Sequence, residues 1–154
     1  MTKQIYDPAI IDFVLRVIRL GSAYDMEGME ALYTADQSLL FLDDEGRVVR
    51  SSRADMLAEF RGRRDDGEAS LSTEHRFLHV EQQGDHATVL LYRRMSPATR
   101  PALYELRLRK EAGNWMVAGE TVLPWPDLAH AGDFLPPRAL ARAPQAAGAG
   151  DPRP

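Results

Sequence analysis

The chain has 154 residues, 44% hydrophobic and 27% charged, with a formal charge of −4 and no cysteine. That length suits one domain able to bury about two-thirds of its unfolded surface. The acidic balance, without a basic stripe, argues against a nucleic-acid partner, and the lack of cysteine excludes disulfides, thiolate catalysis and Cys-ligated metal and fits a reducing compartment.

The opening Met-Thr-Lys-Gln-Ile-Tyr-Asp-Pro lacks the apolar core of a secretory signal. Asp7-Pro8 reads as an N-cap followed by proline at the first helical position, and the helix is expected to run to about Leu20. Ile10, Phe13, Val14, Val17 and Ile18 form its buried stripe, widened by Ile11 and Leu15. Asp12, Arg16 and Arg19 interrupt the apolar run, so it cannot span a bilayer. No membrane partner and a cytoplasmic location are expected.

Asp25 can cap a second, short helix reaching about Thr34. Ser38–Leu42 and Arg47–Arg50 then read as short strands around the turn Asp43-Asp44-Glu45-Gly46. Ser52-Arg-Ala-Asp55 has capping-box spacing and opens a third helix carrying Met56, Leu57 and Phe60, with Arg61–Gly67 fraying into a loop.

Four longer strands follow. Thr73–Gln82 and Ala87–Met95 flank Gly84-Asp85, and the last two form a hairpin over Tyr104–Val122. In that hairpin Tyr104, Leu106 and Leu108 alternate with Glu105, Arg107 and Arg109. The Glu111–Asn114 turn offers Gly113 and Asn114 for left-handed backbone, and Trp115 anchors the return strand. Pro124-Trp125-Pro126 stops it. Residues 1–135 are expected to form the domain and 136–154 a Pro/Ala/Gly-rich flexible tail. Helices first and strands after indicate α+β, a sheet curling over the first helix into a cone with a pocket at its open end.

Over about residues 8–125 the chain resembles the nuclear transport factor 2-like superfamily, in particular its SnoaL-like and ketosteroid-isomerase-like branches. The resemblance rests on element order and on three stretches: Asp25-Met-Glu-Gly-Met-Glu-Ala-Leu-Tyr33 with Asp36, Gly84-Asp-His-Ala-Thr88, and Trp115-Met-Val-Ala-Gly-Glu120. It implies a cone-shaped, curved antiparallel sheet wrapped around N-terminal helices (a cystatin-like roll), an apolar pocket and a homodimer. The steroid-isomerase set is not matched. Val14 and Val17 stand where that branch has a tyrosine, Phe41 stands near its base, and only Tyr104 falls near its protonated acid. Tyr24-Asp25 and Thr73-Glu-His75 resemble the scytalone-dehydratase pattern, although Tyr92 stands where that family has a second histidine.

The resulting candidates are His75 to move a proton, Asp25 to orient it and Tyr104 to polarise an oxygen. Each has a plainer alternative: a half-exposed strand histidine, a helix cap and a packing tyrosine. Phe13, Val17, Phe41, Phe60, Phe77 and Tyr92 are expected to line the pocket. Arg93 and Arg94 point to opposite faces, so one would face inward, with Glu120 as a carboxylate able to pair with it. The four histidines are dispersed, and His75 and His79 would lie about 13 Å apart along a strand, too far to share a zinc ion. No metal or cofactor is expected. The chain is thus expected to bind a small apolar or aromatic molecule. If an enzyme, it would be a cofactor-independent lyase or isomerase, such as a dehydratase, cyclase or isomerase. The alternative is a non-catalytic ligand-binding or dimerisation module.

Overall fold

The computed structural model describes residues 5–138. Helices α1 (Ala9–Ser22) and α2 (Met26–Glu30) lead into strand β1 (Tyr33–Leu42), followed by β2 (Val48–Ser52) and helix α3 (Arg53–Asp65). Strands β3 (His75–Gln83), β4 (His86–Arg93), β5 (Ala102–Glu111) and β6 (Asn114–Pro124) come next. A single 3-10 turn, Leu128–His130, closes the described chain. Of the expected tail, 136–154, residues 139–154 lie outside the described residues.

All six strands form one sheet in the order β2-β1-β6-β5-β4-β3. The pairings are antiparallel except one: β1 lies parallel to β6, so the early hairpin is built into the main sheet. The second helix is also shorter than expected. Leu32 N–H closes its last turn onto Met29, and Val117 N–H then takes the Leu32 carbonyl at 2.8 Å, drawing Tyr33 into β1.

Local chemistry accounts for the helix ends. Asp7 does not cap α1 directly; Pro8 occupies that position, while Asp7 Oδ1 accepts from Ala9 N–H at 2.9 Å and Asp7 Oδ2 from Trp115 Nε1 at 3.1 Å. The carboxylate therefore ties the start of α1 to the anchor of the last hairpin. α1 ends with Tyr24 in the left-handed region (φ 53°), with Asp25 N–H reaching back to the Leu20 carbonyl at 3.0 Å. Buried Tyr24 is held there by an edge contact to Phe60 and a hydroxyl bond to the Ala69 carbonyl at 3.2 Å. Ser52 and Asp55 form a complete capping box on α3, which continues in helix through Asp65 rather than fraying at Arg61.

The core lies between the α1 stripe and the inner sheet face. Ile10, Val14, Met29, Val89 and Val117 are fully enclosed, and Leu91, Leu106 and Leu108 nearly so. At the β5–β6 turn the left-handed residues are Ala112 (φ 51°) and Gly113 (φ 80°), one position earlier than the Gly113/Asn114 pair expected. Both central residues of the two-residue loop need positive φ, and those are Ala112 and Gly113.

Candidate functional site

Alternation along β4 turns Ala87, Val89, Leu91 and Arg93 inward. On β5 Leu106 and Leu108 are buried and Tyr104 packs against the same core. β6 begins in step, with Trp115 and Val117 inward, and then changes phase. Val117 pairs with Leu108 and Gly119 with Arg107, leaving Ala118 as an extra residue. The bulge re-aims the strand, so Glu120 and Val122 become the inward pair.

These inner-face residues and the two longer helices enclose a pocket of about 590 Å³, measured to include its open mouth. Val17 and Ile18 of α1, Met56 and Phe60 of α3, and Leu91 and Leu106 of the sheet supply apolar walls. Ser22, Tyr33, Arg93, Tyr104 and Glu120 supply the polar groups. An apolar cleft with a few convergent polar groups is the usual form of a small-molecule site.

Glu120 is 6% exposed. Gln37 Nε2 donates to its Oε2 at 2.9 Å. Burial pushes its carboxyl up to about 7, although the Gln37 hydrogen bond and the Arg107 charge both pull downward. The Gln37 amide oxygen is enclosed without a partner among the described residues. Rotating that amide by half a turn would present its oxygen to protonated Glu120, so Gln37 can serve either protonation state.

Burial and the nearby Glu120 charge hold the Tyr33 and Tyr104 phenols far above neutrality, so both remain O–H donors. Neither hydroxyl hydrogen-bonds to another described residue.

Arg93 is 4% exposed, and burial pulls its guanidinium below the ordinary value. Nη1 donates to the Glu74 carbonyl at 3.0 Å, and Nη2 donates to Ser22 Oγ at 3.3 Å and contacts Met95 Sδ at 3.2 Å. The expected ion pair with Glu120 does not form, because β5 separates β4 from β6. The register sets Arg93 opposite Ala102 and Glu120 opposite Leu106, four positions along β5. Arg94 turns outward and donates to the Pro97 and Thr99 carbonyls.

The three residues expected to act together are dispersed. Tyr104 lines the pocket, but His75 and Asp25 do not. Asp25 Oδ1 accepts from Gly28 N–H at 3.0 Å as the cap of α2. His75 begins edge strand β3, half-buried, its ring edge-on to Phe77. Its Nδ1 lies 2.7 Å from the Thr73 carbonyl, which can only accept, so the proton sits on Nδ1.

Of the expected lining residues, Val17 and Phe60 line this pocket. Phe13 packs in the core under the Arg16 guanidinium and borders a separate surface hollow near Trp115. Phe41 is 45% exposed opposite Val49 at the β1–β2 end of the sheet. Phe77 packs against the core margin, and Tyr92 lies on the outer side, bonded to Glu74 and edge-on to Trp125. Arg93 was signalled by the Ala87-Val89-Leu91 alternation that it continues. Glu120 carried no such signal, since strict alternation from Trp115 turns it outward.

No family model matches the chain, and no curated protein matches it. Solved structures do. A nuclear transport factor 2-like protein of unknown function from Silicibacter pomeroyi superimposes with a TM-score of 0.61 at 18% identity, covering 74% of this chain and 91% of its own. A domain of unknown function with a cystatin-like fold from Nostoc punctiforme gives 0.59 at 18% identity, covering 92% and 93%. A ketosteroid isomerase-like protein from Erwinia carotovora atroseptica gives 0.53 at 17% identity, covering 77% and 95%. The chain therefore has the nuclear transport factor 2-like, cystatin-like α+β fold. At these identities the likeness extends to the fold alone, and function must be argued from the site.

Proposed function

We propose that this protein binds a small, largely apolar molecule in the pocket and performs cofactor-free acid–base chemistry on it. The observation that carries this reading is Glu120, a carboxyl enclosed in an apolar pocket and pushed up to about 7. A group balanced near neutrality is suited both to take a proton and to return it.

Ionised Glu120 takes a proton from a carbon next to a carbonyl. The C–H electrons move toward the carbonyl, forming an enolate whose oxygen receives a hydrogen bond from Tyr104 or Tyr33. In a β,γ-unsaturated ketone the enolate is a dienolate, and protonated Glu120 returns its proton to the γ carbon, isomerising the molecule. In a β-hydroxy ketone the enolate electrons expel the hydroxyl, which takes the same proton and leaves as water. Neither outcome needs a metal or redox partner. His75, the first choice from sequence, is set aside in favour of Glu120 because its ring lies at the sheet edge rather than among the lining residues.

The test is solvent-deuterium exchange. Cyclic and aryl ketones that raise the melting temperature are incubated with the protein in D2O and followed by proton NMR. Deuterium should enter at the carbon beside the carbonyl, at a rate rising with pH through about 7. Glu120→Gln should abolish exchange and Tyr104→Phe should slow it. Bound ketones that exchange no faster than in buffer would reduce the pocket to a binding site, and exchange indifferent to Glu120→Gln would remove the assigned base.

A further inference from the structure

We infer that the ligand of this pocket carries a carboxylate seated on Arg93, an inference that rests on the pocket reading above and assigns its chemical class. Arg93 is 4% exposed and lines the pocket, yet no carboxylate lies within ion-pair distance of it among the described residues. Its neighbours are a backbone carbonyl, a hydroxyl and a thioether. Glu74, the acid whose charge acts on it, accepts instead from the Tyr92 hydroxyl at 3.0 Å. A buried cation is expensive unless an anion compensates it, and arginine stays charged in proteins.

Arg93 has donors left over, and it lines the pocket. Three contacts occupy three of the five guanidinium N–H groups. Among the described residues Nε has no acceptor, and it is not among their atoms sealed without a partner, which are Gln37 Oε1 and Arg53 Nε. Arg93 itself lines the pocket, which puts an acceptor held there within reach of its side chain. Nε–H shares its edge with Nη2, so a carboxylate can take a charge-assisted hydrogen bond from Nε and, by displacing the weak Met95 thioether contact, a second parallel one from Nη2. One arginine among apolar walls suits a monoanion with a hydrocarbon body better than a phosphate dianion.

The placement of charge also sets the ligand's direction. Ionised Glu120 repels a carboxylate, and the sheet register places it two strands and four residues from Arg93. The acid group therefore sits at the Arg93 end, beside Ser22 and Met95. The reacting carbon reaches past Tyr104 toward Glu120.

Matched pairs test this directly: cinnamate against cinnamamide and hexanoate against hexanamide, titrated at pH 7.5 in a buffer free of carboxylate and phosphate. The acids should bind at least tenfold more tightly than the amides. They should also shift one arginine Nε–H resonance in the proton–nitrogen spectrum, the one that Arg93→Met removes. Arg93→Met should erase the preference. Should that variant fail to fold, Arg93→Lys identifies the same resonance by its loss, and it should retain part of the preference without the forked geometry. Amides that bind as well as acids would overturn the carboxylate assignment while leaving the pocket reading intact. Phenylphosphonate binding more tightly than cinnamate would replace the carboxylate with a phosphoryl group. Failure of both acids and amides to bind would overturn both readings.

Discussion

Replacing Glu120 with glutamine keeps the shape of the side chain and removes its ionisation, which isolates what burying this acid does to stability. An ordinary glutamate titrates near 4.5, whereas Glu120 holds its proton up to about 7. Between those values the unfolded chain has released a proton that the folded chain still carries, so stability falls as pH rises through this window. Below it both states are protonated and there is no penalty; above it both are ionised and the penalty is complete. At about 1.4 kcal/mol per pH unit the full penalty reaches roughly 3 kcal/mol. Glutamine carries none of it. Glu120→Gln should therefore match the wild type near pH 4.5 and exceed it by roughly 3 kcal/mol at pH 8, or roughly 6–12 °C in Tm. Urea unfolding followed by tryptophan fluorescence, at half-unit steps from pH 4.5 to 8.5, measures the difference. Titrations common to both proteins cancel in it. A difference that is flat with pH, or a variant less stable than wild type at pH 8, would show that Glu120 ionises normally and is not enclosed as described.

Three further substitutions probe features on which the site depends. Gln37→Leu removes the hydrogen bond that pulls Glu120 downward, so the window should extend upward, as shown by repeating the pH series with and without Glu120→Gln. Ser52→Ala breaks the capping box on α3 and should lower stability by about 1 kcal/mol in urea unfolding, with no dependence on the Glu120 titration. Ala112→Gly relieves a non-glycine residue at φ 51° and should raise stability by about 1 kcal/mol by the same measurement, an increase absent if the turn has another conformation.

The fold was legible where a local signal and the tertiary structure agree. The Ser52/Asp55 spacing, the Asp25 cap and the alternation of Tyr104, Leu106 and Leu108 each describe a few neighbouring residues, and each element is present. Sequence is less informative about which strand lies beside which. Nothing in Ser38–Leu42 tells that β1 pairs in parallel with β6, since that contact is formed across the chain. The same blindness misplaced the candidate site. His75 and Phe41 sit on strands whose alternation reads as pocket wall, but β3 is an edge strand and Phe41 lies beside the edge strand β2. The pocket forms over the middle of the sheet, against α1 and α3.

Glu120 owes its position to the single extra residue at Ala118. In an unbroken strand the stripe begun by Trp115 and Val117 continues through Gly119 and Thr121, and Glu120 faces outward. With the bulge, Gly119 turns to the outer side, where a Cβ built on it would meet the Arg107 guanidinium at 2.5 Å. Glu120 turns in, under Gln37 from the adjoining β1. An apolar residue there would avoid the ionisation penalty, as one would at Arg93. If the two charges served stability alone, the favourable arrangement would be to pair them. They are held apart instead by β5, with the phenol of Tyr104 contributed from the strand between them. That separation leaves a cation free to hold an anionic group and an acid free to exchange a proton, and a directly paired Arg93 and Glu120 could offer neither.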